Sequence, residues 1–115
     1  MPLTIAHEEH GNRPVLVVEG DLDLATAPQL ASVALALVES GARDLIVDAE
    51  KLAFCDSSGL TVFVQIVNRL EPTAGRLTIA GPTPIVRRVL ELSGLTNSLV
   101  VVDSVPAAIA AIEAD

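Results

Sequence analysis

Leu45-Ile46-Val47-Asp48-Ala49-Glu50-Lys51-Leu52-Ala53-Phe54-Cys55-Asp56-Ser57-Ser58-Gly59-Leu60 reads as a buried strand, a short second extended piece and then a polar corner that opens a helix. An apolar run of β-formers, a cluster of small polar residues and a new apolar periodicity together mark a strand-to-helix junction. The first backbone N–H groups of such a helix lack internal partners and lie at the positive end of its dipole. Two hydroxyls and a glycine at that point suit either a helix cap, from Asp56 or Ser57, or a phosphate group.

Outward from this segment the pattern alternates. Leu3 to His7 and Pro14 to Val18 are extended in character with Gly11-Asn12 as a turn between them, which predicts a hairpin. The second strand leaves through Glu19-Gly20-Asp21-Leu22-Asp23. Thr26 with Gln29 three residues on has capping-box spacing, and Pro28 suits a first helical turn. Leu30, Val33, Ala34, Leu37 and Val38 share one helical face, and Gly41 ends that helix. After the Ser-Ser corner a helix is expected to about Leu70, with Leu60, Phe63, Val64 and Val67 inward. Glu71 to Gly75 reads as a loop, Leu77 to Ala80 as a strand, and Ile85, Val89 and Leu92 as the apolar positions of a short helix closed by Ser93-Gly94. Leu99 to Val102 is the last strand, and a terminal helix begun by Ser104 or Pro106 runs to Glu113. The order β-β-α-β-α-β-α-β-α predicts an α/β fold with a largely parallel sheet and one antiparallel hairpin at its start.

Size and composition narrow the function. The 115 residues suit a single domain over positions 1–115. Half of them are hydrophobic and Phe54 and Phe63 are the only aromatics, so the core is aliphatic and no base-stacking platform is available. A formal net charge of −8 repels phosphate backbones and anionic lipid, which disfavours nucleic acid and direct membrane binding and favours a basic protein partner. The single Cys55 forms no internal disulfide and suits a reducing compartment. No signal-peptide pattern occurs in the first ten residues, and the uncharged run Leu24 to Val38 falls short of the ~18 apolar residues of a membrane span. A cytoplasmic location is the expectation.

Catalytic constellations are missing. Ser57 and Ser58 sit in Cys-Asp-Ser-Ser-Gly rather than in a G-x-S-x-G elbow, and His7 and His10, the only imidazoles, lie at the end of the first strand. Neither a P-loop nor a dinucleotide fingerprint is present, and no Cys/His spacing fits a metal; no cofactor is expected. Asp21, Asp23, Asp48 and Asp56 are candidates to gather near the sheet's edge. A phosphoacceptor aspartate wants a lysine on the phosphoryl group, and Lys51, the only lysine, is placed in the loop after the strand. Cys55 reads as a packing residue, since Asp56 beside it raises a thiol pKa. What remains is a serine displayed at a helix start on an acidic domain, which suits a modification site better than a nucleophile.

Three segments in order carry a resemblance. Gly20-Asp21-Leu22-Asp23, Asp56-Ser57-Ser58-Gly59-Leu60 and Leu92-Ser93-Gly94-Leu95 resemble the G-[ED]-L-D, D-S-[ST]-G-[LV] and L-[ST]-G-L motifs of the STAS domain, specifically of the stand-alone anti-sigma factor antagonists of bacteria, at matching separations along essentially the whole chain. The resemblance implies a STAS-type mixed sheet, parallel at its core with an N-terminal antiparallel hairpin, and about four helices packed mainly on one side. It also implies a binding switch instead of an enzyme: an unmodified antagonist binds an anti-sigma factor, often itself a serine kinase, and frees a sigma factor. Phosphorylation then releases the antagonist, and a serine phosphatase restores it. The second hydroxyl of the motif, Ser58, is the implied phosphoacceptor, with Ser57 as second choice. Asp21, Asp23, Asp56, Ser57, Ser58 and Gly59 are the implied partner-binding residues. The alternative is a STAS subunit of a membrane-transporter or signalling-scaffold complex that has no phosphorylation switch.

Overall fold

The structure, a computed structural model, describes residues 2–114. The chain runs β1 (Thr4–His10), β2 (Arg13–Leu22), α1 (Ala27–Glu39), β3 (Asp44–Cys55), α2 (Ser57–Leu70), β4 (Arg76–Ala80), α3 (Pro84–Leu92), β5 (Val100–Val102) and α4 (Val105–Glu113), with one-turn 3-10 segments at Glu71–Thr73 and Leu95–Asn97. The five strands lie in sequence order across one sheet. β1 and β2 pair antiparallel, and β2-β3, β3-β4 and β4-β5 pair parallel.

That order dictates where the helices go. Each of α1, α2 and α3 is a crossover to the next strand in the same direction across the sheet. Crossovers between parallel strands are right-handed, so all three fall on one face. There Leu16, Val18, Leu45, Val47, Leu77 and Ile79 of the strands meet Leu30 and Ala34 of α1, Phe63, Ile66 and Leu70 of α2, and Val86 and Leu90 of α3. Helix α4 follows the last strand and crosses nothing. It covers the other face, where Val15, Ile46 and Ala80 meet Ala108 and Ile112. The alternation of Leu45, Ile46 and Val47 between the two cores is the period-2 pattern of a strand buried on both faces.

Three helical phases differ from the expectation. In α2 the buried residues are Val62, Phe63, Ile66, Val67 and Leu70, while Leu60 is half-buried and Val64 is exposed. The buried Gly59 fixes that rotation, because the side without a side chain is the one that reaches the sheet. In α3 the inward pair is Val86 and Leu90, and Ile85 and Leu92 face water. The hydroxyl of Thr83 accepts from Val86 N at 3.4 Å and donates to Leu52 O at 3.4 Å, tying the start of α3 to β3 on the side where Val86 and Leu90 enter the core. In α1 the Thr26/Gln29 capping box does not form: Gln29 Nε2 instead donates to Leu3 O at 3.0 Å, holding the entry to β1 against the helix. The terminal helix begins as expected, with Ser104 Oγ accepting from Ala107 N at 3.1 Å.

The two extended pieces of the opening segment are one continuous strand. β3 is twelve residues long, with register irregularities against β2 between Val17 and Glu19 and between Gly20 and Asp21. At each, β3 carries an extra residue, as in a β-bulge. Only Asp44 to Asp48 pairs with β4, so the second half of β3 runs on beside β2 alone. Lys51 therefore lies within a strand, its ammonium 3.9 Å from the Glu19 carboxylate, and not in a loop.

Phe63 is fully buried in the larger core and Val64 faces outward. Phe63→Ala is expected to cost about 3–5 kcal/mol and Val64→Ala less than about 0.5 kcal/mol in equilibrium urea unfolding. Equal costs would contradict the helical phase described here.

Candidate functional site

The long pair β2-β3 outruns β4 and β5, so its carboxyl end stands clear of the rest of the sheet. Asp56 N donates to Leu22 O at 3.1 Å, which joins the exits of the two strands. The turn after β2 and the start of α2 thus become neighbours.

Each half of this corner is organised by an aspartate. Asp56 is the N-cap of α2 in extended backbone conformation, and its Oδ1 accepts from Ser58 N at 2.8 Å and from Gly59 N at 3.4 Å. Two of the helix's orphan donors are so satisfied, by a charge that also suits the positive end of the dipole. Asp23 does the same for the preceding turn: its Oδ1 accepts from Ala25 N at 3.0 Å and Thr26 N at 3.2 Å. Thr26 Oγ1 donates to Asp21 O at 2.8 Å and accepts from Asp23 N at 3.0 Å. Asp23 and Asp56 are held by backbone N–H groups, with no side-chain cation paired to either among the described residues.

Gly59 explains how close α2 comes. A Cβ there would stand 2.7 Å from both Cys55 Sγ and the Leu22 side chain, so only glycine lets the first turn lie against the strand ends. Cys55 beneath it is buried. Burial, with Asp56 as a lesser contribution, pushes its thiol up to about 12 from 9.0. A thiol so protonated packs and does not attack.

The two serines differ. Ser57, the first residue of α2, is exposed, and its carbonyl accepts from Thr61 Oγ1 at 3.0 Å. Ser58 is half-buried, and neither hydroxyl has an intramolecular partner among the described residues. Ser58 also lies on the rim of a groove of about 340 Å³ between α1 and α2, lined with Leu24, Ala27, Pro28, Ala31, Thr61, Val62 and Gln65. Sequence reasoning missed the groove. Leu24 followed by Ala27 and Ala31 was the available signal, but its partners come from a helix some thirty residues away. A second hollow of about 390 Å³ opens at the opposite pole, between Gly11–Pro14 and Gly41–Asp44. Its Arg13 is engaged by Glu113 at 3.6 Å.

The structure brings together the elements bearing Asp21, Asp23, Asp56, Ser57, Ser58 and Gly59. Asp48 does not join them. It sits at the end of the β3-β4 ladder opposite Ala80, with Oδ1 accepting from Glu50 N at 3.1 Å, and is separated from Cys55 by about 17 Å of strand, the five steps from Val17 to Leu22 on the partner β2. His7 and His10 lie on the edge strand β1 with Glu9 and Glu8 at 2.9 and 3.0 Å. Among the described residues no three His, Cys, Asp or Glu side chains gather to hold a metal ion, and no helix is long and apolar enough to cross a membrane.

The family model described as "Mlab, STAS domain" matches residues 5–103. The chain belongs to the STAS-domain family. This STAS domain is 34% identical over 80 residues, 70% of its length and 74% of the relative's, to the anti-sigma-B factor antagonist of Staphylococcus aureus. Among solved structures it is similar to an anti-sigma factor antagonist from Mycobacterium paratuberculosis, at 26% identity and a TM-score of 0.89 over 96% of this chain and 94% of that one. It is likewise similar to the Bacillus cell fate determinant SpoIIAA in its phosphorylated form, at 26% identity and a TM-score of 0.75 over 95% and 99% of the two chains. The five-stranded mixed sheet and its four longer helices are those of the STAS fold.

Two outcomes follow from this geometry. Asp56→Ala removes the cap of α2 and is expected to cost about 1 kcal/mol, read as a lower thermal midpoint. The raised thiol of Cys55 is a protonated group favoured by folding, so its contribution is full below pH 9.0 and is lost as pH rises toward 12. Stability measured by urea unfolding at stepped alkaline pH is expected to fall more steeply above pH 9.0 in the wild type than in Cys55→Ala. Parallel curves would show that Cys55 ionises as freely folded as unfolded.

Proposed function

We propose that this STAS domain is an anti-sigma factor antagonist whose partner surface is the corner formed by the β2–α1 turn and the start of α2, and that phosphorylation of Ser58 switches it off. The observation that carries this reading is the unpartnered Ser58 hydroxyl at the capped start of α2, in a chain similar to proteins named as anti-sigma factor antagonists. The partner is an anti-sigma factor acting as a serine kinase, its binding frees a sigma factor, and a serine phosphatase restores the unmodified form. The setting is cytoplasmic, as that partner requires.

The physical account is electrostatic. A phosphoryl group adds about −1.5 to −2 charges beside the Asp56 carboxylate, which already occupies Ser58 N and Gly59 N. The fold can accommodate this at a helix N-terminus, as the phosphorylated form of SpoIIAA illustrates for that protein. Across an interface the same dianion must be desolvated next to Asp23 and Asp56, and a penalty of about 3 kcal/mol is more than a hundredfold in affinity. Ser58 is preferred to Ser57 because it faces the α1/α2 groove, where a docked partner meets it. The sheet order suits a binding surface: with no reversal between parallel neighbours, no crevice opens between helices on opposite faces.

The test is binding of the purified anti-sigma factors of the source genome, one at a time, to wild type, Ser58→Asp and Ser58→Ala. Ser58→Asp is expected to weaken the complex at least tenfold and Ser58→Ala to bind like the unmodified protein even with ATP present. Intact-mass analysis of native protein should find phosphate on Ser58. A complex indifferent to Ser58→Asp and recovered with membrane transport proteins would instead assign the domain to a transporter or scaffold.

A further inference from the structure

The groove beside Ser58 has a feature that packing does not explain. Leu24, on its wall, is 78% exposed, yet the turn carrying it is held by the Asp23 carboxylate on Ala25 N and Thr26 N and by Thr26 Oγ1 on Asp21 O. A loose loop would let a leucine fold back on Ala27 and Ala31; this turn keeps it pointing outward. A single exposed leucine is ordinary. Here it extends an apolar strip formed by Ala27, Ala31 and Val62, and it is flanked in the chain by Asp23, while Asp56 lies two residues before Ser58 on the opposite wall.

We infer that the groove between α1 and α2 seats one aliphatic or aromatic side chain of the anti-sigma factor, with a lysine or arginine beside it to meet Asp23 and Asp56. This rests on the function proposed above and assigns where that partner's apolar anchor goes. The choice of occupant follows from charge. The chain carries a net −8, and Asp23 and Asp56, which border the groove-lining Leu24 and Ser58 in the chain without lining the groove themselves, have no side-chain cation among the described residues, so a second copy of the same acidic surface is a poor fit and a basic amphipathic segment a good one. Apolar anchors in such seats dominate interface energetics, whereas rim charges steer and orient. The switch then acts through hydration as well as charge. Ser58 shares the rim with Leu24, so a phosphoryl group there places a hydrated dianion at the entrance the anchor must pass.

The experiment titrates whichever purified anti-sigma factor binds the wild-type chain into wild type, Leu24→Ala, Ser58→Asp and Ile85→Ala, with amide chemical-shift mapping of the complex. Leu24 is exposed, so its truncation leaves the fold intact, which an unchanged unfolding midpoint confirms. Leu24→Ala is expected to weaken binding at least tenfold, and Ile85→Ala, on the exposed side of α3, less than twofold. Shift changes should concentrate at Ala27, Ala31, Thr61 and Gln65. If Leu24→Ala binds within twofold of wild type while Ser58→Asp still blocks, the groove is overturned and the proposed function stands. If no anti-sigma factor binds the wild type, both fall. Concentration-dependent self-association that Leu24→Ala abolishes in analytical ultracentrifugation would overturn the inference in favour of a second copy.

Discussion

The approach of α2 to the ends of β2 and β3 governs the rest of this molecule. Gly59 presents bare backbone to Cys55 and Leu22, at a distance where any Cβ would collide. That contact sets the rotation of α2, and the rotation selects Val62, Phe63, Ile66, Val67 and Leu70 for the core. It also brings the capped first turn, with Ser57 and Ser58, level with the turn after β2. The core and the candidate site are therefore consequences of one close contact.

The site is rigid for reasons that can be named. Backbone donors that a helix start and a tight turn would leave unsatisfied are taken by the carboxylates of Asp56 and Asp23. The same two groups put negative charge on this surface, so under the proposed function structure and recognition would draw on the same side chains. In the proposed function that acidity is what suits a basic partner and makes one additional dianion costly. Cys55 contributes bulk and stays protonated under the burial that Gly59 imposes.

Topology places this corner where it can be reached. Because the strands follow in sequence order, right-handed crossovers put α1, α2 and α3 on one face and leave α4 for the other. Because β4 and β5 are short, the far end of β2 and β3 runs beyond them, with the start of α3 beside it, tied through Thr83 to Leu52 O. A protruding edge with two capping carboxylates and a shallow apolar groove is the surface on which the proposed function rests.

Local chemistry was enough to read element order, the hairpin, the strand-to-helix junction and a cap at Asp56 or Ser57, which the structure gives to Asp56, because each depends on residues within a few positions of one another. The motif residues from Gly20 to Asp23 and from Asp56 to Leu60 also announced the candidate site. Helical phase was another matter. Apolar residues at 85, 89 and 92 and at 86 and 90 offer α3 two faces, and packing of Val86 and Leu90 into the core, together with the Thr83 bond to Leu52 O across 31 residues, accompanies the second. Gln29 was available for a capping box until Leu3 O competed for its amide, and Asp48 was separated from the other aspartates by the length of a strand that bulges kept continuous. The groove that joins Leu24 to Ser58 exists only once two helices lie side by side. Sequence by itself determined which local structures form, since hydrogen-bonding and backbone preferences act over a few residues. Tertiary structure alone decided which faces meet, since packing compares residues that the chain holds far apart.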